Sequence, residues 1–192
     1  MYEEINRTFV DHITLVETVR KELGEAIISV ANQLTDALDN GHTVLLCGNG
    51  GSAADAQHLA AEFTGRFLRN RRPLPAVALT TDTSALTAIG NDFGFDTIFE
   101  RQVRALAKPG DVLIGISTSG NSKNVIEALK AAGNIGCVTV ALLGGDGGTM
   151  KTHAEHVIIV PSTETPRVQE VQIIIGHILC DLVDRHFAQG ES

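Results

Sequence analysis

A chain of 192 residues with 43% hydrophobic and 20% charged side chains is long and apolar enough for one domain with a full core, which excludes a disordered protein. The 15 Lys and Arg are outnumbered by 23 Asp and Glu, a formal net charge of −8, and aromatic residues make up 4% with no Trp; this composition argues against a nucleic-acid partner. No apolar run approaches the roughly 20 residues of a membrane span, and the acidic start Met1-Tyr2-Glu3-Glu4 carries no secretory pattern, so a cytoplasmic protein without a membrane partner is expected.

Up to about Asn40 the sequence predicts two helices. Ile5, Phe9, Ile13, Val16, Val19 and Leu23 recur every three or four residues, Gly24 marks a break, and Ala26, Ile27, Val30, Ala31, Leu34 and Leu38 resume the spacing. From about Thr43 short apolar runs alternate with helical segments. Strands are predicted at 43–47, 76–79, 111–116, 137–143 and 157–160. Helices are predicted at 52–67, through 99–106, from the Ser/Thr/Gly loop to about Gly133, and at 166–187. Continuous apolar strands joined through helices imply right-handed crossovers and one parallel sheet covered on both faces. The last helix is apolar around most of its circumference, which predicts burial against other subunits. Cys47, Cys137 and Cys180 form no metal or disulfide pattern and read as small buried hydrophobes.

Two loops are suited to phosphate. Gly48-Asn49-Gly50-Gly51-Ser52 joins a strand to a helix, where glycines allow close backbone approach and the helix N-terminus attracts an anion. Dinucleotide binding fits poorly, because the acidic residue Asp82 follows too late. A glycine turn without a ligand is the plain alternative. Ser117-Thr118-Ser119-Gly120-Asn121-Ser122 places four hydroxyls at a second strand-to-helix turn, more than the one a helix cap needs. Gly90-Asn91-Asp92 reads as a third loop, whose side chains suit sugar hydroxyls or simply a turn. The basic run Arg66, Arg69, Arg71 and Arg72 reads as a solvated loop or as positive charge at the site entrance.

His58 and Glu62 share a helix face, a spacing that serves a metal, an acid/base pair or an exposed salt bridge. Gln169 and His177 interrupt the apolar last helix. They lie about 12 Å apart along its axis, so a shared centre requires leaning side chains or two subunits.

Taken together, Gly48-Asn-Gly-Gly-Ser52, Asp55, His58, Glu62, Thr64-Gly65-Arg66, Gly90-Asn91-Asp92, Ser117-Thr-Ser-Gly-Asn-Ser122, Gln169-Glu170 and His177 resemble the phosphoheptose isomerases of the sugar-isomerase (SIS) superfamily over nearly the whole chain. The resemblance implies a three-layer α/β/α fold with a five-stranded parallel sheet of flavodoxin-like type, preceded by two N-terminal helices. It implies one SIS domain over 1–192, with 1–40 a helical extension and 41–192 the α/β core. It also implies conversion of D-sedoheptulose 7-phosphate to D-glycero-D-manno-heptose 7-phosphate through an enediol, an early step toward ADP-heptose and lipopolysaccharide cores or related glycans. The implied assembly is a homotetramer with sites between subunits. By the same resemblance Glu62 and His177 are the catalytic acid/base pair. One zinc ion per subunit would be held by His58, Glu62, Gln169 and His177. The implied substrate contacts are Asn49, Gly50, Gly51, Ser52, Glu62, Asn91, Asp92, Ser117, Thr118, Ser119, Ser122 and Gln169.

A non-catalytic relative associates with the replication initiator DnaA. Ala56-Gln57-His58, Leu86-Thr-Ala-Ile89, Gln102-Val-Arg-Ala-Leu106 and Cys180-Asp-Leu182 resemble it, making DnaA the partner under that alternative. That relative lacks the acid and the imidazole that this chain keeps as Glu62 and His177. Gln172 stands where both relatives commonly carry His.

Overall fold

The computed structural model describes residues 1–188. Helices α1 (Tyr2–Glu22) and α2 (Gly24–Asp39) lead the chain, separated only by Leu23. There follow β1 (Val44–Gly48), α3 (Gly51–Thr64), β2 (Ala76–Ala78), α4 (Thr83–Phe93), α5 (Ile98–Leu106), β3 (Val112–Ser117), α6 (Lys123–Ile135), β4 (Val138–Gly144), β5 (His156–Val160) and α7 (Thr165–Ala188).

The five strands form one parallel sheet in the order β2-β1-β3-β4-β5, the expected flavodoxin-like arrangement. Every position of β1 and β3 is buried, which explains their uninterrupted apolar runs. Alternate side chains serve opposite faces. Leu46, Ile114 and Leu142 join α1, α2, α3 and α7 in one core. Leu45, Leu113 and Leu143 join α5 and α6 in the other, with Leu86 and Ile89 of α4 at its rim. Cys47, Cys137 and Cys180 are buried, and burial pushes the thiols of Cys47 and Cys180 up to about 12.

Three elements differ from the sequence reading. Helix α3 ends at Thr64 rather than Phe67, because the Phe63 carbonyl oxygen accepts from the Leu74 N–H and the Arg71 guanidinium instead of continuing the helix. Gly90-Asn91-Asp92 is not a loop. It forms the last turn of α4, which Asp82 starts by accepting from the Ala85 N–H at 2.9 Å and which Gly94, at φ 91°, ends. Helix α7 is covered largely by its own chain, with Val168, Val171, Ile175, Leu179 and Val183 in the core beside α2 and α3. What stays outside is narrower: Ile174, Ile178 and Leu182, which with Val16, Ile27 and Ile28 line a groove of about 400 Å³. Among the described residues no helix is long and apolar enough to cross a membrane.

Candidate active site

The sheet order reverses between β1 and β3, which are adjacent strands, so the two loops leaving their carboxyl ends are neighbours. Ligands of open α/β sheets bind at such a switch point. The loop after β1 turns at Gly50, whose φ of 56° is left-handed, and α3 starts at Gly51 with no side chain capping it. The loop after β3 leads to α6. Ser122 holds the N-cap position there, yet its hydroxyl makes no cap. It pairs instead with Ser117 Oγ at 2.9 Å, and Ser117 Oγ also accepts from the Gly120 N–H at 3.1 Å. Simple capping therefore does not account for these hydroxyls. Both helix starts lie at this crevice without a side-chain cap, and a helix N-terminus favours an anion; at α3 the Ser52 N–H is already taken by the Asn49 carbonyl oxygen at 3.0 Å. Ser117 is buried, Thr118 half-buried and Ser119 exposed, so the hydroxyls form a graded wall from floor to rim. Asn121 braces the wall from outside, its Oδ1 accepting from the Thr149 N–H and hydroxyl, both at 3.0 Å.

A residue that sequence reasoning missed links the two loops. Asn124, buried at the start of α6, and Asn49 exchange two amide hydrogen bonds of 2.8 Å. The Asn49 side chain is thereby committed to the protein, and its backbone remains the part available to a ligand. An Asn in a helical first turn carries no signal of this pairing in sequence, since its partner is a whole crossover away.

Helices α3 and α7 run side by side in the same direction. A Cβ on Gly51 would meet Gln169 Nε2 at 1.8 Å, and one on Gly176 would meet Leu59 Cδ2 at 2.7 Å. Residues at matching heights therefore face each other. Near the loop end, Gln169 lies over Gly51 and beside Asp55. Burial raises the Asp55 pKa, against the lowering influence of Gln169, His58 and His177, and Asp55 Oδ2 is buried without a hydrogen-bond partner. About two turns further on, His58 Nε2 lies 2.8 Å from His177 Nε2 and 3.6 Å from Glu62 Oε1. The Phe67 ring stacks on His177 with centroids 5.2 Å apart. One chain thus brings His58, Glu62 and His177 together, with Gln169 at the next level rather than on the same point. Asn91 and Asp92 stand apart in the exposed end of α4, where Asn91 Nδ2 donates to Asp92 Oδ1 at 2.8 Å.

Two imidazole nitrogens at 2.8 Å cannot both carry protons without clashing, so one accepts through its lone pair, the same pair that binds a cation. With the Glu62 carboxylate beside them and the orphaned Asp55 oxygen one level up, the donor set suits a zinc ion in kind. The described residues contain no group of three His, Cys, Asp or Glu side chains already arranged to hold a metal.

The SIS domain family model matches residues 9–144. A phosphoheptose isomerase from Geotalea daltonii is 57% identical, the match covering 96% of this chain and 96% of the relative. The chain belongs to the phosphoheptose isomerase family. Solved structures agree. The phosphoheptose isomerase of Neisseria gonorrhoeae superimposes with a TM-score of 0.91 at 49% identity, and that of Francisella tularensis with 0.93 at 37%. Each match covers 96% of this chain and 98% of the other. Membership of the phosphoheptose isomerase family includes the two leading helices, since these alignments run over nearly the full chain.

Proposed function

We propose that this chain is a sugar-phosphate isomerase that converts D-sedoheptulose 7-phosphate to D-glycero-D-manno-heptose 7-phosphate in heptose biosynthesis. The observation that carries the reading is the meeting of Glu62 and His177, from helices far apart in sequence, around His58 beside a crevice with two uncapped helix starts. Retention of both groups favours the enzyme over the DnaA-binding alternative. The backbone N–H groups of Asn49, Gly50 and Gly51 and the hydroxyls of Ser52, Ser117, Thr118, Ser119 and Ser122 hold the phosphate without a basic side chain, which lets an acidic protein bind an anion; the Ser52 N–H itself donates to the Asn49 carbonyl oxygen. Asn91 and Asp92 would bind sugar hydroxyls from a neighbouring subunit's α4.

Interconversion of ketose and aldose moves a proton between C1 and C2 through an enediol. Glu62 removes the C1 proton and returns it at C2. His177, stacked on Phe67, opens the sugar ring and moves protons between the two oxygens. Gln169 orients the substrate from the Gly51 level. Zinc held by His58, Glu62 and His177, with Gln169 a ligand only if its side chain leans down from the Gly51 level, would supply Lewis-acid polarisation of the substrate oxygens.

The same proposal makes residues 1–192 one SIS domain, supported by the core that α1 and α2 share with α3 and α7. It makes the working unit a cytoplasmic homotetramer, supported by the exposed apolar stripe Tyr2, Ile5, Phe9 and Ile13 on α1. Turnover of sedoheptulose 7-phosphate in a coupled assay, with and without added zinc, tests the reading. Glu62→Gln and His177→Gln should each lower kcat by a factor on the order of 10²–10⁴. Absence of turnover by the wild-type chain overturns the enzyme, and wild-type rates in both variants overturn the assignment.

A further inference from the structure

Of the basic run after α3, which reads in sequence as a solvated loop or as charge at the site entrance, Arg71 is neither exposed nor turned toward an entrance. The Arg71 side chain is 1% exposed, and its partner Asp184 on α7 is fully buried. The last turn of a helix leaves carbonyl oxygens without partners, and Arg71 collects them. Its Nη2 donates to the Glu62 carbonyl oxygen at 2.8 Å, and its Nη1 donates to those of Phe63, Gly65 and Arg72 at 2.9, 3.1 and 2.9 Å. Its Nε donates to Asp184 Oδ1 at 2.7 Å. The other oxygen, Asp184 Oδ2, accepts from the Leu68 and Arg69 N–H groups at 2.8 and 3.0 Å. Burial works against ionisation of Asp184, but these two N–H groups and the guanidinium outweigh it and hold the carboxyl below its ordinary range. Every strong group of the pair is therefore satisfied, as a buried ion pair requires.

The placement of this cluster matters more than its strength. Arg71 grips the backbone of Glu62 itself, and Asp184 lies about two turns beyond His177 on the same helix. Asp184 also pins Leu68, the neighbour of Phe67, whose ring stacks on His177. We propose that Arg71 and Asp184 are positioning residues that set the Glu62 to His177 geometry, one through the backbone of Glu62 and the other through the loop that carries Phe67. The proposal rests on the reading of Glu62 and His177 as the acid/base pair.

The test compares Arg71→Lys, the double variant Arg71→Met/Asp184→Leu, and Glu62→Gln, measuring melting temperature, kcat and KM for sedoheptulose 7-phosphate. Replacing both members of a buried ion pair by apolar side chains leaves no unpaired charge, but the double variant also takes partners from the backbone groups that Arg71 and Asp184 serve, so its melting temperature should fall and the melt shows that it is folded before its kinetics are read. Its KM should stay within about threefold of wild type, because the phosphate loops lie at the other end of α3, while kcat falls on the order of 10–100-fold from misplacement of the pair. Arg71→Lys keeps the charge but cannot span the carbonyls, and should show the same split to a smaller degree. Wild-type kcat in the folded double variant overturns the proposal. Should the double variant not fold, Arg71→Lys decides, and wild-type kcat there overturns it. If Glu62→Gln is inactive while the double variant is fully active, the positioning role alone fails. If Glu62→Gln is fully active, the acid/base reading itself fails.

Discussion

Gly51 has no side chain because Gln169 fills the space where one would sit, with the amide nitrogen 1.8 Å from an added Cβ. Ala is the better helix former by about 1 kcal/mol, so helix propensity alone predicts a gain in stability from Gly51→Ala. The added methyl must instead displace the Gln169 amide, which has a flexible stem and can swing away. The expected outcome is a folded protein with a melting temperature near wild type and a kcat lower by about tenfold, since a small displacement of a positioning group has a large kinetic effect. Steady-state kinetics beside a thermal melt checks this. An unchanged kcat would show that the Gln169 amide takes no part in turnover. Gln172 shows another residue-level device. It is buried, and its Nε2 donates to the Leu142 carbonyl oxygen at 3.0 Å, so an amide ties α7 to the sheet. Its position faces β4 and not the seam with α3, which keeps it apart from His58 and His177.

At the scale of elements, the site is an agreement between two helix starts and two parallel helices. The amide pair of Asn49 and Asn124 joins the starts of α3 and α6 across the switch point. Loss of two neutral hydrogen bonds costs about 1 kcal/mol each, and the loop that loses them is one that would hold the substrate. Asn124→Ala should therefore raise KM on the order of tenfold with a smaller effect on kcat. Asn124→Asp should be worse than Asn124→Ala, because a carboxylate accepts from Asn49 but cannot donate back, and it sets a negative charge beside the proposed phosphate loops. Michaelis curves for the two variants decide the matter. An Asp variant as good as wild type would show that the pair is dispensable. The ion pair of Arg71 and Asp184 joins the other ends of α3 and α7, so α3 is held at both ends while its middle carries His58.

For the molecule as a whole, the unburied surface points to assembly. Tyr2 is 82% exposed, Phe9 64% and Ile13 59%, all on α1, and Ile28 and Ile178 lie open in the groove that the later α1 residues Val16 and Val19 line. Helix α4 contains no buried residue although Leu86 and Ile89 touch the core rim. Contiguous exposed apolar area on this scale marks contact surfaces. Sedimentation equilibrium should give the mass of a tetramer. A Phe9→Glu variant, with a charge in the stripe, should shift toward smaller species and lose activity in proportion, if Asn91 and Asp92 complete a neighbour's site. A monomeric wild-type chain with full activity would exclude that arrangement.

The order of strands and helices was legible because each carries its own period: apolar runs for buried strands, three-to-four spacing for α2, and glycine at the turns. Local chemistry also made Glu62, His58 and the two strand-to-helix loops visible, since spacing within one helix or one turn sets those neighbours directly. The segment 90–92 reads as a loop because Gly, Asn and Asp suit one, while the Asp82 cap and the packing of Leu86 and Ile89 make it helix. Sequence alone therefore determined the fold class and the supply of reactive groups. Only the tertiary structure decided which of them meet. His58 reaches His177 across 119 residues, Asn49 reaches Asn124 across 75, and Arg71 leaves the solvent to reach Asp184 across 113. Local periodicity holds no record of such distances in chain; they arise when crossover helices pack on one sheet and bury groups that must then find partners.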